Sequence, residues 1–257
     1  MIYIDKGHSQ VPNILLTDGV TEAQNLRDAY DNDNAYFEGK RSSDVFKSSI
    51  YGNPEVKNSL INIQNHKCCF CESRVTHISD GDVEHFRPKA AWLHELDGLK
   101  KPGYFFLAYD WGNLLLSCQA CNQRAKGNQF PILNSIIRTT ITSTYDYSLE
   151  NAIFINPAYE DPEISITFFE EIPKGNNYRG RKTIEYLELD RLSLNEARKE
   201  KLKDLFALKE VIQVIQNEVD REKAEEILRR RIAEILNENL QYVSMVKANF
   251  QEYIEFN

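Results

Sequence analysis

Long apolar runs are missing from this 257-residue chain, in which 42% of residues are hydrophobic and 27% charged. Nothing approaches the roughly 18 uninterrupted apolar residues of a membrane span, so no membrane association is expected. The opening residues, MIYIDKGHSQVPNILL, lack the basic stretch, apolar stretch and small-residue cleavage site of a secretory leader. The expectation is a cytoplasmic protein. An excess of positive charge is also absent: 31 Lys and Arg stand against 39 Asp and Glu, for a net charge of -8. A broad electrostatic footprint for nucleic acid is thereby excluded. There is no internal repeat, no low-complexity tract and no GxxxxGK[ST] pattern, so ATP hydrolysis is not expected of this chain. The five cysteines are too few and too odd in number for a full disulfide framework. In a reducing compartment, metal binding or catalysis is the better use for them.

What is present divides unevenly. Residues 66–130 carry 8 basic and 7 acidic groups and all five cysteines, whereas residues 1–65 carry 6 and 9 and residues 131–257 carry 17 and 23. The length suits one or two domains with a sizeable core. Three segments are expected: an N-terminal helical segment (1–65), a metal-tied module (66–130), and a mixed then helical region (131–257). Helices are predicted near Thr17–Tyr30 and from Asn53 to about Asn65, the second opened by an Asn-Pro cap. GYFFLAYDW, ENAIFINP and ISITFFEEI read as strands. No proline follows Pro173. Ser193 and Glu196 suggest a capping box. Leu205, Leu208, Ile212, Ile215 and Val219 mark one amphipathic helix, and a second helical stretch runs from about Arg221 towards the C-terminus. Its apolar side holds Ile227, Leu228, Ile232 and Ile235, then Tyr242, Val246, Phe250 and Tyr253. Two uses stand for these stripes, core packing and a partner surface.

Cys68 and Cys71 form one CxxC pair and Cys118 and Cys121 another, so four thiolates can converge tetrahedrally on a structural zinc ion. The 46 residues between the pairs leave room for a functional insertion. Cys69 is a small apolar filler, or replaces Cys68 in an alternative register. The insertion contains DVEHFRPK, then WGNLLLSCQACNQRAKG. An acid beside a histidine, followed by two amides, suits phosphodiester hydrolysis, which needs a base for water, a hard cation on the phosphate and stabilisation of the leaving oxygen. His85 can be the base. Glu84 and Asn122 offer oxygen ligands for Mg²⁺ or Mn²⁺, and Asn113 can hold the backbone or ring of His85.

With these elements in order over residues 67–127, the chain resembles the HNH, or ββα-metal, nuclease superfamily in its zinc-knuckled form. It is an H-N-N variant, with Asn122 where many members have histidine. The resemblance implies an α+β, α-rich protein with a central zinc-tied ββα-metal module between helical flanks. It implies His85 as general base, Glu84 and Asn122 as ligands of one catalytic metal, and Asn113 as the residue orienting His85. Lys126, a turn after Asn122, is placed to meet phosphate. MIYIDKG, INPAYEDP and RKTIEYLELDRLSLNEAR extend the resemblance to the HNH proteins of Septu anti-phage systems and some retron defence systems. In those systems the HNH protein works with an ABC-type ATPase, and retron RNA or DNA is a further possible partner. One departure is that INPAYEDPEISI lacks a histidine shortly after its DP.

The expected substrate is nucleic acid, with DNA favoured. RNA such as tRNA shares the same backbone chemistry, and a non-catalytic subunit that keeps the zinc knuckle as a staple is the rival from another class. His8, His66, His77 and His94 are not needed by the chemistry. KGNNYRGRK (174–182) reads as a solvated loop or a phosphate-binding one. Arg229–Arg231 reads as salt-bridged within an acidic helix. Low positive charge predicts weak binding of bare nucleic acid and a partner that supplies the electropositive track.

Overall fold

The computed structural model describes residues 1–7, 9–76, 79–94, 98–237 and 239–254, with the side chains of His94 and Thr139 outside the description. His8 and His77 therefore lie outside the described residues. A π-helical turn (Leu15–Gly19) leads into α1 (Val20–Asn32), followed by the short α2 (Ser42–Val45) and α3 (Ser48–Tyr51) and by α4 (Pro54–Ile63). The Asn-Pro cap forms as predicted: the Asn53 side chain accepts a hydrogen bond from the Glu55 amide, and Pro54 occupies the first turn, where its missing N–H costs nothing.

The middle of the chain is built on an antiparallel pair, β1 (Asp82–His85) with β4 (Leu114–Ser117), which sets Glu84 opposite Leu115 and His85 opposite Leu114. A small hairpin of β2 (Trp92–His94) and β3 (Gly98–Lys100) lies in the intervening excursion. A π-helix (Ala120–Lys126) follows β4, giving two strands and then a helix. Gln64, at the end of α4, completes the free edge of β4: its Oε1 accepts from Leu116 N at 2.7 Å and its Nε2 donates to Leu116 O at 2.9 Å. The Cys69 amide also donates to Leu116 O, at 2.9 Å, so the first cysteine pair is tied to the strand that leads into the second.

After α5 (Ser135–Thr144) comes the hairpin β5 (Ile166–Phe169) and β6 (Ile172–Gly175), then α6 (Tyr178–Tyr186), α7 (Leu192–Val214), α8 (Glu218–Asn237) and α9 (Val243–Asn249). The protein is α+β, with helices outweighing three small two-stranded sheets among the described residues. A continuous hydrophobic core takes in residues from Met1 to Phe250.

Several expectations are corrected. GYFFLAYDW is buried but not a strand: it turns through a 3-10 helix, Phe105–Leu107. A short apolar run signals burial without fixing the backbone. ENAIFINP likewise buries Ile153–Ile155 without a strand, whereas ISITFFEEI does supply β5. The capping box does not form, because α7 starts at Leu192 and Ser193 already lies inside its first turn. The C-terminal stripe is broken at residues 215–217 and again before α9. Leu205, Ile212, Leu228, Ile232 and Ile235 are buried, so much of it is core. KGNNYRGRK is no loop. It spans the end of β6 and the start of α6, and Arg179 is held by both carboxylate oxygens of Glu160 at 2.7 and 2.6 Å. Arg229 and Arg231 pair with Glu225 and Glu234 as predicted.

Candidate functional site

The four cysteines of the two CxxC pairs come together, with their sulfur atoms all within 4.8 Å of one another. Cys71 and Cys118 sulfurs lie 3.8 Å apart. A tetrahedral ion bound at about 2.3 Å would set its ligands about 3.8 Å apart, so the cluster fits zinc. Cys69 is buried outside this set. Burial opposes charge on Cys68, but hydrogen bonds from Cys118 and Cys121 outweigh it and hold its thiol well below the ordinary range. The contact with Cys118 pushes Cys121 well above that range. Four thiolates around a divalent ion leave two excess negative charges. Arg191, from the RLSLNEAR motif, approaches Cys121 at 3.6 Å and answers part of that charge.

The second centre lies on β1. Alternation along the strand sends Asp82 and Glu84 to one face and His85 to the other. On the first face, Glu84 Oε1 meets Lys126 Nζ at 2.6 Å, and Lys126 also donates to His85 O at 3.1 Å. Burial raises the pKa of Glu84 against the opposing charge of Lys126. Asn122 and Gln123 both donate to Asp82 Oδ2, at 3.2 and 3.0 Å. On the other face, His85 Nε2 lies 2.9 Å from Ala108 O. A carbonyl only accepts, so Nε2 carries the hydrogen and Nδ1 carries the lone pair. Burial and then the charge of Lys89 hold His85 well below its usual pKa, keeping the ring neutral. Tyr51 stands edge-on to it at 4.8 Å, and Lys89 Nζ lies 3.4 Å from Nδ1.

Asn113 touches the backbone around His85 rather than its ring. Its Oδ1 accepts from Arg87 N at 2.7 Å, and its Nδ2 donates to Arg87 O at 3.0 Å and Leu107 O at 3.2 Å. It thus joins the segment just after His85 to the one just before the carbonyl that fixes the ring. Lys126 departs from expectation: it is 1% exposed and paired with Glu84, not open to a phosphate. Among the described residues no hydrogen bond joins Glu84 to Asn122, yet both keep oxygen-donor capacity. Lys126 Nζ occupies Glu84 Oε1 at 2.6 Å, so a cation there would share or displace that contact, and Asn122 engages Asp82 through its nitrogen, leaving its oxygen as a donor. Such hard oxygen donors fit Mg²⁺ or Mn²⁺.

Three contributions were not anticipated from sequence. Lys6 of MIYIDKG donates to the carbonyls of Trp111 and Leu114, clamping both ends of the turn that presents Asn113. Tyr159 of INPAYEDP packs so close to Gly112 that a Cβ there would lie 2.0 Å from its hydroxyl. These two flanking motifs therefore converge on the WGN turn, beside a cavity of about 740 Å³ that Tyr3, Trp111 and Tyr159 help to line. Asp82 is the third, and period-two alternation from Glu84 was its only sequence signal. His66 binds Thr76 at 2.9 Å and is no part of either centre.

Among the described residues no helix is long and apolar enough to cross a membrane. No protein-family model matches the sequence. A protein named Septu protein PtuB from Bacillus mycoides (strain KBAB4) is 38% identical over 165 residues, covering 62% of this chain and 55% of that protein. A second Septu protein PtuB, from Bacillus thuringiensis, is 31% identical over 146 residues, covering 56% of this chain and 45% of its own. The chain thus spans about half the length of the curated relatives it matches. The Septu resemblance read from the motifs agrees with these names, and over the shared stretch the chain is a relative of the Septu protein PtuB.

Proposed function

We propose that the chain is a metal-dependent HNH endonuclease, the effector of an anti-phage defence complex, with zinc in its four-cysteine cluster. The observation that carries this reading is the neutral, buried His85, whose Nδ1 lone pair is set by the Ala108 carbonyl, next to Glu84 in sequence and stapled to the cysteine cluster through β4. Nδ1 takes a proton from water as the water oxygen forms a bond to phosphorus. The bond to the leaving oxygen breaks, and that oxygen takes up a proton from solvent. Asn113 keeps the ring and the Ala108 carbonyl in register. Glu84 and Asn122 would hold Mg²⁺ or Mn²⁺, which when bound supplies charge neutralisation on the phosphate.

The relatives' names support the defence role. An ABC-type ATPase, which the resemblance to Septu HNH proteins implies, is the proposed partner; a chain of net charge -8 offers few groups to neutralise phosphates, so that partner would supply the electropositive track. DNA is the favoured substrate. A second reading, a non-catalytic zinc-stapled subunit, draws on the Lys126 ammonium that already pairs with Glu84. The test is to incubate the chain, with and without an ABC-type ATPase partner, with plasmid DNA and with total RNA, with and without Mg²⁺ or Mn²⁺. Divalent-dependent cutting is the expected result, and the polymer cut identifies the substrate. Both polymers left intact under every condition would overturn the nuclease reading in favour of the scaffold.

A further inference from the structure

Two lysines approach the Glu84–His85 pair, and they differ in what neutralises them. Lys126 is buried on the Glu84 carboxylate. Lys89 is half-buried and, among the described residues, has no carboxylate within ion-pair distance. Its polar contact is the ring nitrogen of His85, at 3.4 Å. Its ammonium lies over the ring of Tyr51 at 4.6 Å and that of Phe46 at 5.8 Å, faces that attract a cation without cancelling its charge. The backbone that carries it is pinned. A Cβ on Gly103 would lie 2.4 Å from Pro88 O and 2.7 Å from Lys89 C, and Gly103 N and Tyr104 N donate to Ala90 O and Pro88 O at 3.0 and 2.8 Å. A fixed loop thus holds against His85 Nδ1, the nitrogen that would act as base, a cation that feels the Glu84 carboxylate without forming an ion pair with it.

We propose that Lys89 binds the scissile phosphate, and that in the free protein its ammonium is parked on the His85 Nδ1 lone pair, so that arrival of a phosphodiester uncovers the base. The proposal rests on the nuclease reading of His85. A phosphate oxygen is a stronger acceptor for an ammonium than a neutral imidazole, because both partners are charged. The phosphate therefore draws Lys89 off Nδ1. Lys89 stays protonated throughout and makes no covalent bond. Burial lowers its pKa to about 8, so pairing with an anion also relieves a desolvated charge. The signal was present in the sequence as the last residue of EHFRPK, but nothing in spacing alone ties that lysine to the histidine four residues earlier.

The test measures binding of a short duplex and a matching single strand over a salt series without added divalent ion, using the full chain with its ATPase partner. Wild type is compared with Lys89→Gln and Lys89→Arg, and melting curves check that each variant folds. One lost phosphate contact lowers the slope of log affinity against log salt by about 0.9 on duplex and about 0.7 on single strand. Lys89→Gln is expected to show that loss, and its single-turnover cleavage at saturating substrate to fall at least about tenfold. Lys89→Arg is expected to keep the slope and recover most of the cleavage. An unchanged slope in folded Lys89→Gln, or a slope in Lys89→Arg as low as in Lys89→Gln, would overturn the assignment. The nuclease reading fails separately: if wild type never cuts, or His85→Ala cuts normally, the salt slopes still decide whether Lys89 meets phosphate.

Discussion

The cysteine cluster and the His85 centre sit at opposite ends of one strand pair, yet they are assembled differently. The cluster takes all its ligands from two short CxxC segments, and local turns do most of the work. The His85 centre takes its ring partner from Ala108, its backbone clamp from Asn113, its charge balance on Glu84 from Lys126, a second nearby cation from Lys89, and its outer brace from Lys6. On the proposed reading, one region is a staple whose loss costs the fold, and the other is a set of side chains whose loss costs chemistry or tunes stability locally.

The largest effect is expected at the cysteine cluster. Cys118→Ser, or removal of the metal by a chelator, should unfold the central module, because a structural site of this type contributes folding energy outright. The purified protein should hold about one zinc per chain. The check is metal analysis with circular dichroism, and a metal-free protein that melts like wild type would contradict the staple.

A second perturbation falls on the Glu84–Lys126 charge pair of the His85 centre. Lys126→Met leaves the Glu84 carboxylate buried and uncompensated and should cost roughly 3–5 kcal/mol. Adding Glu84→Gln to the same chain should return most of it, a coupling that denaturant melts of the double-mutant cycle would read. Equal stability of the single and double variants would mean that Glu84 is not desolvated as described.

The smallest effect is expected at the clamp. Asn113→Ala removes three hydrogen bonds around a buried turn and should cost roughly 1–3 kcal/mol. Its zinc content should stay at the wild-type level. A loss of zinc would show that the two regions are not separable there.

These differences also explain what the sequence made legible. Doubled CxxC pairs announce themselves because metal geometry restricts ligand spacing, and the Asn53-Pro54 cap because it is set by adjacent residues. Glu84, His85, Asn113 and Asn122 were found as residue types in order, but their partners were not. Lys126 looked like a phosphate contact at one helical turn from Asn122, and the tertiary fold spends it on Glu84 instead. Lys6 is more than 100 residues from the turn that it holds, and the acceptors are main-chain carbonyls, which carry no mark in the sequence. The GYFFLAYDW run is buried but turns through a 3-10 helix instead of forming the expected strand, because an apolar run without alternation reports burial only.

The proposed nuclease role stands or falls on a side-by-side comparison of wild type and His85→Ala, each with the proposed ATPase partner, on DNA and on RNA. Zinc content, melting curve and single-turnover cleavage are read from the same preparations. His85→Ala should keep its zinc and a melting curve close to wild type, with a cleavage rate lower by roughly 10²–10⁴. Cleavage at the wild-type rate by a folded, zinc-loaded His85→Ala protein would contradict the role of His85 as base.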